Sequence, residues 1–167
     1  MDATEEPRWL TEEEQQTWFA LTGVMTSLPD ALDAQLQRDA GISHFEYLVM
    51  AMLSMSPERT RRMSEVAALA NGSLTRLSRT VDRLDKRGWV TRRPDPADGR
   101  TTLAVLTDAG WDKVVATAPA HVAEVRRLVF DPLTKAQARH LRQIATRVRE
   151  AVDPDGCPPT LPAPNTP

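Results

Sequence analysis

The sequence predicts a mainly α-helical protein of the α+β class, with about six helices and one two-stranded β-ribbon. Three observations support this prediction. Apolar residues recur at helical spacing through most of the 167-residue chain. Hydroxyl residues suited to capping precede several of these stretches. Between residues 89 and 106 the pattern changes to two β-prone runs around a turn-rich centre, Pro94-Asp95-Pro96-Ala97-Asp98-Gly99.

The first helix is predicted to begin after Thr11, because Glu14 follows three residues later in the spacing of a capping box. Pro29 is expected to kink this helix or to divide it into two segments. Residues 1–10 are predicted to be a flexible N-terminus, and residues 11–40 the N-terminal helix of a dimerisation region. Its apolar stripe consists of Trp18, Leu21, Met25, Leu28, Leu32 and Leu36.

A second, nearly all-apolar helix is predicted between Ser43 and Pro57, with Gly41 ending the first helix and Glu46 completing another capping box. A short helix then follows, with Ser64 as its expected N-cap. Asn71-Gly72 interrupts it with turn chemistry, and Ser73 can cap a longer helix that ends at about residue 87.

The longer helix has two contrasting faces. Leu74, Leu77, Val81 and Leu84 form one stripe that we expect to be buried. The opposite face is cationic, with only Asp82 at its edge. An arginine stripe on an isolated helix is more often a solvated face, but a short helix and a tight turn before it indicate a helix-turn-helix, whose second helix enters the major groove. The cationic face carries Thr75, Arg76, Arg79, Arg83 and Lys86.

The β-ribbon is interpreted as a wing. Residues 89–93 are predicted to form one strand and residues 101–106 the return strand, with Leu103 and Val105 on one face. Arg100 lies at the tip, where an extended guanidinium can enter a minor groove. Asp98 is placed to brace that arginine, although an ordinary surface ion pair is an equally simple interpretation.

Residues 98–107, DGRTTLAVLT, resemble the D-x-R-x-x-x-L-x-L-T wing signature of MarR-type winged-helix transcriptional regulators. The segment SLTRLSRTVDRLDKRGWV is similar to the recognition helix of that family and its exit, except that Trp89 is bulkier than the usual residue there. The resemblance extends from about residue 12 to 152. It implies that residues 41–107 form a winged helix-turn-helix lobe. The implied DNA-binding residues are Ser73, Thr75, Arg76, Ser78, Arg79, Arg83, Asp98 and Arg100.

Charge is distributed unevenly along the chain. The formal net charge is −2, but residues 59–100 hold eleven Lys and Arg against five acids, a local balance of +6, so the remainder sums to −8. A basic island in an acidic protein indicates a localised DNA-binding surface. Arg61 and Arg62 within it are candidates for phosphate contacts or merely solvated side chains.

Residues 108–152 are predicted to form C-terminal dimerisation helices. Thr107 caps the first, which is expected to run to about Val129 with a bend at Pro119, and Thr134 with Gln137 caps the second. The apolar stripes of the first and last helices predict burial against a second copy, so the expected assembly is a two-fold homodimer whose recognition helices lie about 34 to 36 Å apart on an inverted repeat. Residues 153–167 are predicted to be a Pro-rich disordered tail.

An enzymatic function is not supported. His44, His121 and His140 are isolated in the sequence, no phosphate-binding loop appears, and no cofactor or metal is expected. Cys157 is the only cysteine, which suits a reducing, cytoplasmic compartment, and no membrane-spanning run is present. A thiol-responsive regulator acting through Cys157 is one alternative function. A winged helix that binds proteins instead of DNA is another.

The resemblance also implies a repressor that is released by a small aromatic or phenolic effector. In the family the effector pocket lies where the dimerisation helices meet the DNA-binding lobe. In this sequence the corresponding candidates are Trp18, His44, Tyr47 and Trp111, each of which is more commonly a packed core residue.

Overall fold

The computed structural model describes residues 7–154, so the predictions for residues 1–6, for Cys157 and for most of the Pro-rich tail lie outside the described residues. The predicted mainly α-helical class is confirmed. The helices are α1 (Glu12–Ala40), α2 (His44–Ser54), α3 (Met63–Leu69), α4 (Leu74–Lys86), α5 (Asp108–Val125) and α6 (Lys135–Val152). The strands are β1 (Thr60–Arg62), β2 (Val90–Asp95) and β3 (Asp98–Leu106).

The predicted helix starts are largely confirmed, because capping depends on residues close together in the sequence. Capping boxes begin α1, α2 and α6, with Thr11, Ser43 and Thr134 as the N-caps. The prediction that Ser64 caps α3 is wrong. β1 runs directly into α3, so the helix begins at buried Met63 and its N-cap, Arg62, makes no side-chain capping bond.

Pro29 was expected either to kink α1 or to divide it, and the helix passes through Pro29 without ending, so the second of these alternatives is wrong. Proline removes one backbone hydrogen bond to the residue four positions earlier. That residue is Met25, which is 52% exposed, so water can reach this turn of the helix. The helix ends at Gly41, whose φ of 65° is the left-handed conformation typical of a glycine C-cap.

The sheet has three antiparallel strands in the order β1-β3-β2, one more than predicted. Three-residue β1 is too short to show an alternating pattern, and it forms because Arg61 pairs with Ala104 in the C-terminal half of β3. β2 also continues through Pro94, which was expected to end it. Proline is tolerated there because β2 is an edge strand. The wing turn is therefore only Pro96-Ala97.

The core lies between α1, α2, α3, α4, α5 and the sheet. Leu77, Val81 and Leu84 are fully buried as predicted, but Leu74 is 55% exposed. Thr80 lies at the opposite edge of this stripe on the helical wheel and is only 1% exposed. In β3 the core face is formed by Ala104 and Leu106.

Two apolar faces remain uncovered in the single chain. One is on the N-terminal half of α1, and the other is on α6, which contributes no buried residue to the described chain. Leu141, Ile144, Val148 and Val152 on α6 are between 45% and 79% exposed. Apolar stripes of this length are normally covered in the functional protein. On α1 the exposed face includes Trp18, Phe19, Leu21, Val24 and Met25.

Candidate nucleic-acid interface

The outward ridge of α4 is exposed and cationic. Thr75, Arg79 and Lys86 lie on the side opposite the buried residues Leu77 and Val81. Within residues 7–154, neither Arg79 nor Lys86 forms a salt bridge. The N-terminal end of the helix is fixed by Ser73, whose hydroxyl accepts a hydrogen bond of 3.2 Å from the backbone N–H of Arg76. The ridge can therefore offer free positive charge to a polyanion.

Two arginines that were predicted to share this ridge are turned towards α2. The Arg76 guanidinium lies 4.1 Å from the ring centroid of Phe45, within the range of a cation–π contact. Arg83 donates from Nε to Glu46 at 2.9 Å and from Nη2 to the hydroxyl of Thr80 at 3.2 Å. Asp82 was the only acid expected near this face, and that expectation is wrong because Arg83 is paired with Glu46. Glu46 is 37 residues away and comes close only in the fold.

Glu46 is the buried partner of Arg83 on the side of α4 that faces α2, and its side chain is only 6% exposed. Burial by itself raises the pKa of the carboxyl group. Hydrogen bonds from the Ser43 backbone, from Arg83 and from the Ser43 hydroxyl outweigh burial, and the net pKa of Glu46 is lowered. The charged carboxylate therefore joins the start of α2 to the middle of α4.

We expect Glu46→Gln to lower the free energy of unfolding by about 1 to 2 kcal/mol at neutral pH, because glutamine keeps the cap but loses the charged bond to Arg83. A carboxyl group with a lowered folded-state pKa stabilises the fold above its ordinary pKa and loses that contribution as the pH falls through the lowered value. The difference between wild type and variant should therefore shrink on acidification, in urea unfolding curves measured against pH.

Glu14→Gln is the matched control for this prediction. Glu14 occupies the same capping-box position in α1, is exposed, and has no arginine partner within the described residues. We expect its replacement to change stability by less than about 0.5 kcal/mol. Equal losses for the two variants would contradict a special contribution from the bond between Glu46 and Arg83.

The other flank of α4 is joined to the wing by Arg92 of β2. Its guanidinium forms a salt bridge with Asp82 and donates to the backbone carbonyl of Ser78 at 2.7 Å and to the Ser78 hydroxyl at 3.1 Å. The charge of Asp82, which the sequence places at the edge of the cationic face, is thereby paired with a cation. The sequence analysis did not single out Arg92, because alternation along a strand does not show which helix the strand faces.

The wing presents Arg100 at its exposed tip. Within residues 7–154, Asp98 forms no salt bridge with the Arg100 side chain, so the predicted brace acts through the backbone and not through the guanidinium. Asp98 accepts hydrogen bonds from the Arg100 backbone N–H at 3.1 Å and from the Thr101 hydroxyl at 3.0 Å, which fixes the start of β3. Near the tip of the wing, Asp95 at the end of β2 forms a salt bridge of 3.1 Å with Arg62 of β1.

The four candidate effector residues do not form one pocket. His44 and Tyr47 meet at the junction of α2 with α5, where both rings lie near His121, at centroid distances of 5.9 and 4.6 Å. Trp111 instead packs under the guanidinium of Arg59, 4.4 Å away. Trp18 lines an exposed groove at the start of α1.

His121 is a junction residue that the sequence analysis missed, since it lies 77 positions from His44 and both were described as isolated. Nδ1 of His121 is 3.1 Å from Oε1 of Gln35 on α1, and the backbone N–H of His44 donates to Asp33 at 2.7 Å. Burial lowers the pKa of both imidazoles, and the charge of His44 lowers that of His121 further. Burial therefore favours the neutral form of both rings.

The described residues contain no group of three or more His, Cys, Asp or Glu side chains that could hold a metal ion. Among the helices of residues 7–154, none is long and apolar enough to cross a bilayer.

The fold and this surface define a winged helix-turn-helix protein. Comparison with known proteins identifies the family. A model of the MarR family matches residues 40–101. Sco3205 of Streptomyces coelicolor, a MarR family transcriptional regulator crystallised in complex with DNA, is 45% identical, with a TM-score of 0.86 over 95% of this chain and 98% of that chain. The chain therefore belongs to the MarR family of transcriptional regulators, as its wing signature implied.

Two further relatives show the range of similarity. AbsC, another MarR family regulator of Streptomyces coelicolor, is 32% identical, with a TM-score of 0.82 over 87% of this chain and 98% of that chain. The transcriptional repressor MprA of Escherichia coli is 26% identical over 110 residues, which are 65% of this chain and 62% of that protein. These relatives are regulators rather than enzymes, which points away from catalysis.

Proposed function

We propose that this protein is a homodimeric transcriptional repressor that binds an inverted-repeat operator. The observation that carries the proposal is the exposed ridge of α4 with Thr75 and Arg79, on a helix that Arg92 joins to the wing on which Arg100 is exposed. In winged helix-turn-helix proteins a helix presented in this way enters the major groove. The DNA complex of Sco3205 and the repressor activity in the name of MprA support the same function here.

The same surfaces indicate which parts of the chain bind DNA and which parts form the dimer. We assign residues 41–107 to the DNA-binding lobe, and residues 11–40 and 108–152 to dimerisation. Support comes from the uncovered apolar faces of α1 and α6, which a second copy related by two-fold symmetry can cover. Two α4 helices in such a dimer would enter successive major grooves, about 34 to 36 Å apart.

Within the lobe we assign major-groove contacts to Ser73, Thr75, Arg76, Ser78 and Arg79, and a minor-groove contact to Arg100. Ser73 also caps α4, so it is suited to a phosphate near the helix start. The contacts made by Arg83 and Asp98 support structural roles at the edge of this surface. A protein-interaction module without DNA binding is not favoured. Such a module would not require an exposed cationic ridge on α4 with a salt bridge on each side of it, one from Arg83 to Glu46 and one from Arg92 to Asp82.

A small aromatic effector is proposed to act at the junction of α1, α2 and α5. The supporting observation is that the rings of His44, Tyr47 and His121 form a partly buried cluster between the proposed dimerisation helices and the DNA-binding lobe. Glu46 then joins α2 to the recognition helix through Arg83. Release of the selected operator by a panel of phenols and aromatic carboxylates tests this assignment, and release that survives replacement of both His44 and Tyr47 contradicts it.

The test of the main proposal is selection of binding sites from random duplex DNA, followed by affinity measurements against salt concentration. We expect an inverted repeat with half-sites about one helical turn apart and a steep fall of affinity with salt. Absence of any enriched sequence, with only weak binding at low salt, would direct the search to protein partners instead.

Arg100→Ala is expected to weaken binding to the selected operator and to reduce the slope of log affinity against log salt by about 1, since one cation is lost from the interface. Its side chain is exposed and forms no salt bridge within residues 7–154, so the free energy of unfolding should change by less than about 0.5 kcal/mol. Fluorescence anisotropy and urea unfolding measure the two effects. A loss of stability without a loss of affinity would contradict the wing assignment.

A further inference from the structure

The contact between Arg92 and the recognition helix has a consequence for base recognition. Arg92 lies on β2, while Ser78 and Asp82 lie one turn apart on α4. One guanidinium nitrogen forms the salt bridge with Asp82, and the other donates to both the backbone carbonyl and the hydroxyl of Ser78. The planar guanidinium group of Arg92 bonds three acceptors at once, so it holds the Ser78 side chain in one orientation more firmly than water molecules would.

The hydrogen-bonding capacity of Ser78 is therefore only partly free. A serine hydroxyl has one O–H donor and two acceptor lone pairs, and Arg92 occupies one lone pair. A second donor, such as a base amino group, would have to approach beside the guanidinium cation and would be repelled. The O–H group is made a stronger donor by the cation that its oxygen binds.

The hydroxyl proton of Ser78 is also available. Helical hydroxyls commonly donate to the carbonyl four residues earlier. Thr17, Thr22 and Thr117 do so in this protein, at distances of 2.9, 2.9 and 2.7 Å. Within residues 7–154 the Ser78 hydroxyl donates to no protein acceptor. Ser78 is one turn from Thr75 and adjacent to Arg79, in the half of α4 that leads into the groove.

We propose that Arg92 is a specificity-determining residue, which orients the Ser78 hydroxyl as a hydrogen-bond donor to an acceptor on the major-groove edge of a base. A serine without such a partner can bond to donors or acceptors on any base. The Arg92 contact restricts Ser78 to purine N7, guanine O6 or thymine O4, and selects against the amino groups of adenine and cytosine. This inference rests on the proposed operator binding.

The experiment uses the full chain and the operator obtained by selection with the wild type. Affinities are measured for operators carrying each alternative base pair in turn, and for operators in which an analogue such as 7-deazaguanine removes one acceptor. We expect one position per half-site at which Ser78→Ala lowers discrimination by about 3- to 10-fold, the size of one hydrogen bond. Removing the acceptor there should weaken the wild type and have no further effect on Ser78→Ala.

Arg92→Lys tests the positioning role, since it keeps the charge but lacks the planar fork. It should lower discrimination at the same base pair, and the double variant should lose no more than either single variant. Arg93→Lys is the matched control, because Arg93 adjoins Arg92 on β2 but forms no salt bridge in the described part of the chain. It should leave discrimination unchanged at every position.

Any of three results would overturn the inference. Arg92→Lys could discriminate as well as the wild type at the base pair read by Ser78, or Ser78→Ala could leave discrimination unchanged at every position. The third such result is that the group bound by Ser78 proves to be a base amino group. These results are distinct from failure of the proposed function. If the proposed function is wrong, the wild type should enrich no sequence in the selection, and this inference then fails as well.

Discussion

Arg79→Ala is expected to weaken binding to the selected operator by about 1 to 3 kcal/mol, a loss of roughly 5- to 150-fold in affinity. Arg79 is exposed at the centre of the outward ridge of α4 and forms no salt bridge within the described residues. Its guanidinium therefore enters a complex without first breaking a bond inside the protein. If it reads a base, specificity at one position of each half-site should relax as well.

The same substitution at Arg83 should have a different signature. Arg83→Ala leaves the buried carboxylate of Glu46 without its cation, so we expect a loss of folding stability in addition to any loss of affinity. Arg79→Ala should leave the unfolding curve unchanged. Measuring affinity and stability for both variants separates a residue that contacts DNA from one that supports the helix.

Arg139→Ala controls for the removal of a positive charge. Arg139 is exposed on α6, on the side opposite the apolar stripe of that helix, and far along the chain from the lobe. It should bind the operator as tightly as the wild type. Equal affinities for Arg79→Ala, Arg139→Ala and the wild type would contradict the placement of the α4 ridge in the major groove.

Features that depend on neighbouring residues could be predicted from the sequence. The capping boxes at Thr11, Ser43 and Thr134 each involve two residues three positions apart, and all three are present. Helical periodicity similarly located the buried residues Leu77, Val81 and Leu84. The wing motif was sufficient to identify the family.

Features that depend on tertiary packing could not be predicted in this way. A helical wheel groups Arg76, Arg79 and Arg83 on one cationic face, but it does not show that Phe45 and Glu46 of α2 pack beside two of them. A charged residue at a capping-box position already has a local explanation, so nothing in the sequence marked Glu46 as a partner for a distant arginine. The third strand was missed for the same reason, since β1 is defined by its pairing with β3.

The part of the cationic face that is free of salt bridges is consequently narrower than the sequence suggested. Arg83 and Asp82 are engaged by groups of opposite charge on the two flanks of α4, which leaves Thr75, Arg79 and Lys86 on the free ridge. The salt bridge to Glu46 on one side of α4 and the salt bridge to Arg92 on the other fix the rotation of α4 about its axis relative to α2 and the wing. Pre-organisation of this kind lowers the entropic cost of binding in one register.

The position of the wing relative to α5 depends on Gly110, and Gly110→Ala is expected to lower the free energy of unfolding by about 3 kcal/mol. A Cβ atom at this residue would lie 2.1 Å from the backbone oxygen of Trp89 and 2.7 Å from Cδ1 of Leu106. The backbone oxygen cannot move freely, because it accepts hydrogen bonds from the backbone N–H and the hydroxyl of Thr107. The start of α5 must therefore shift away from the base of β2.

Gly99→Ala is the matched control, since a Cβ atom there meets nothing within 4 Å and the backbone is not left-handed. It should change stability by less than about 0.5 kcal/mol in urea unfolding. Gly110→Ala should in addition weaken operator binding at a temperature where the variant remains folded, because displacement of Trp89 moves β2 and with it Arg92. Wild-type stability in Gly110→Ala would show that α5 does not approach the wing this closely.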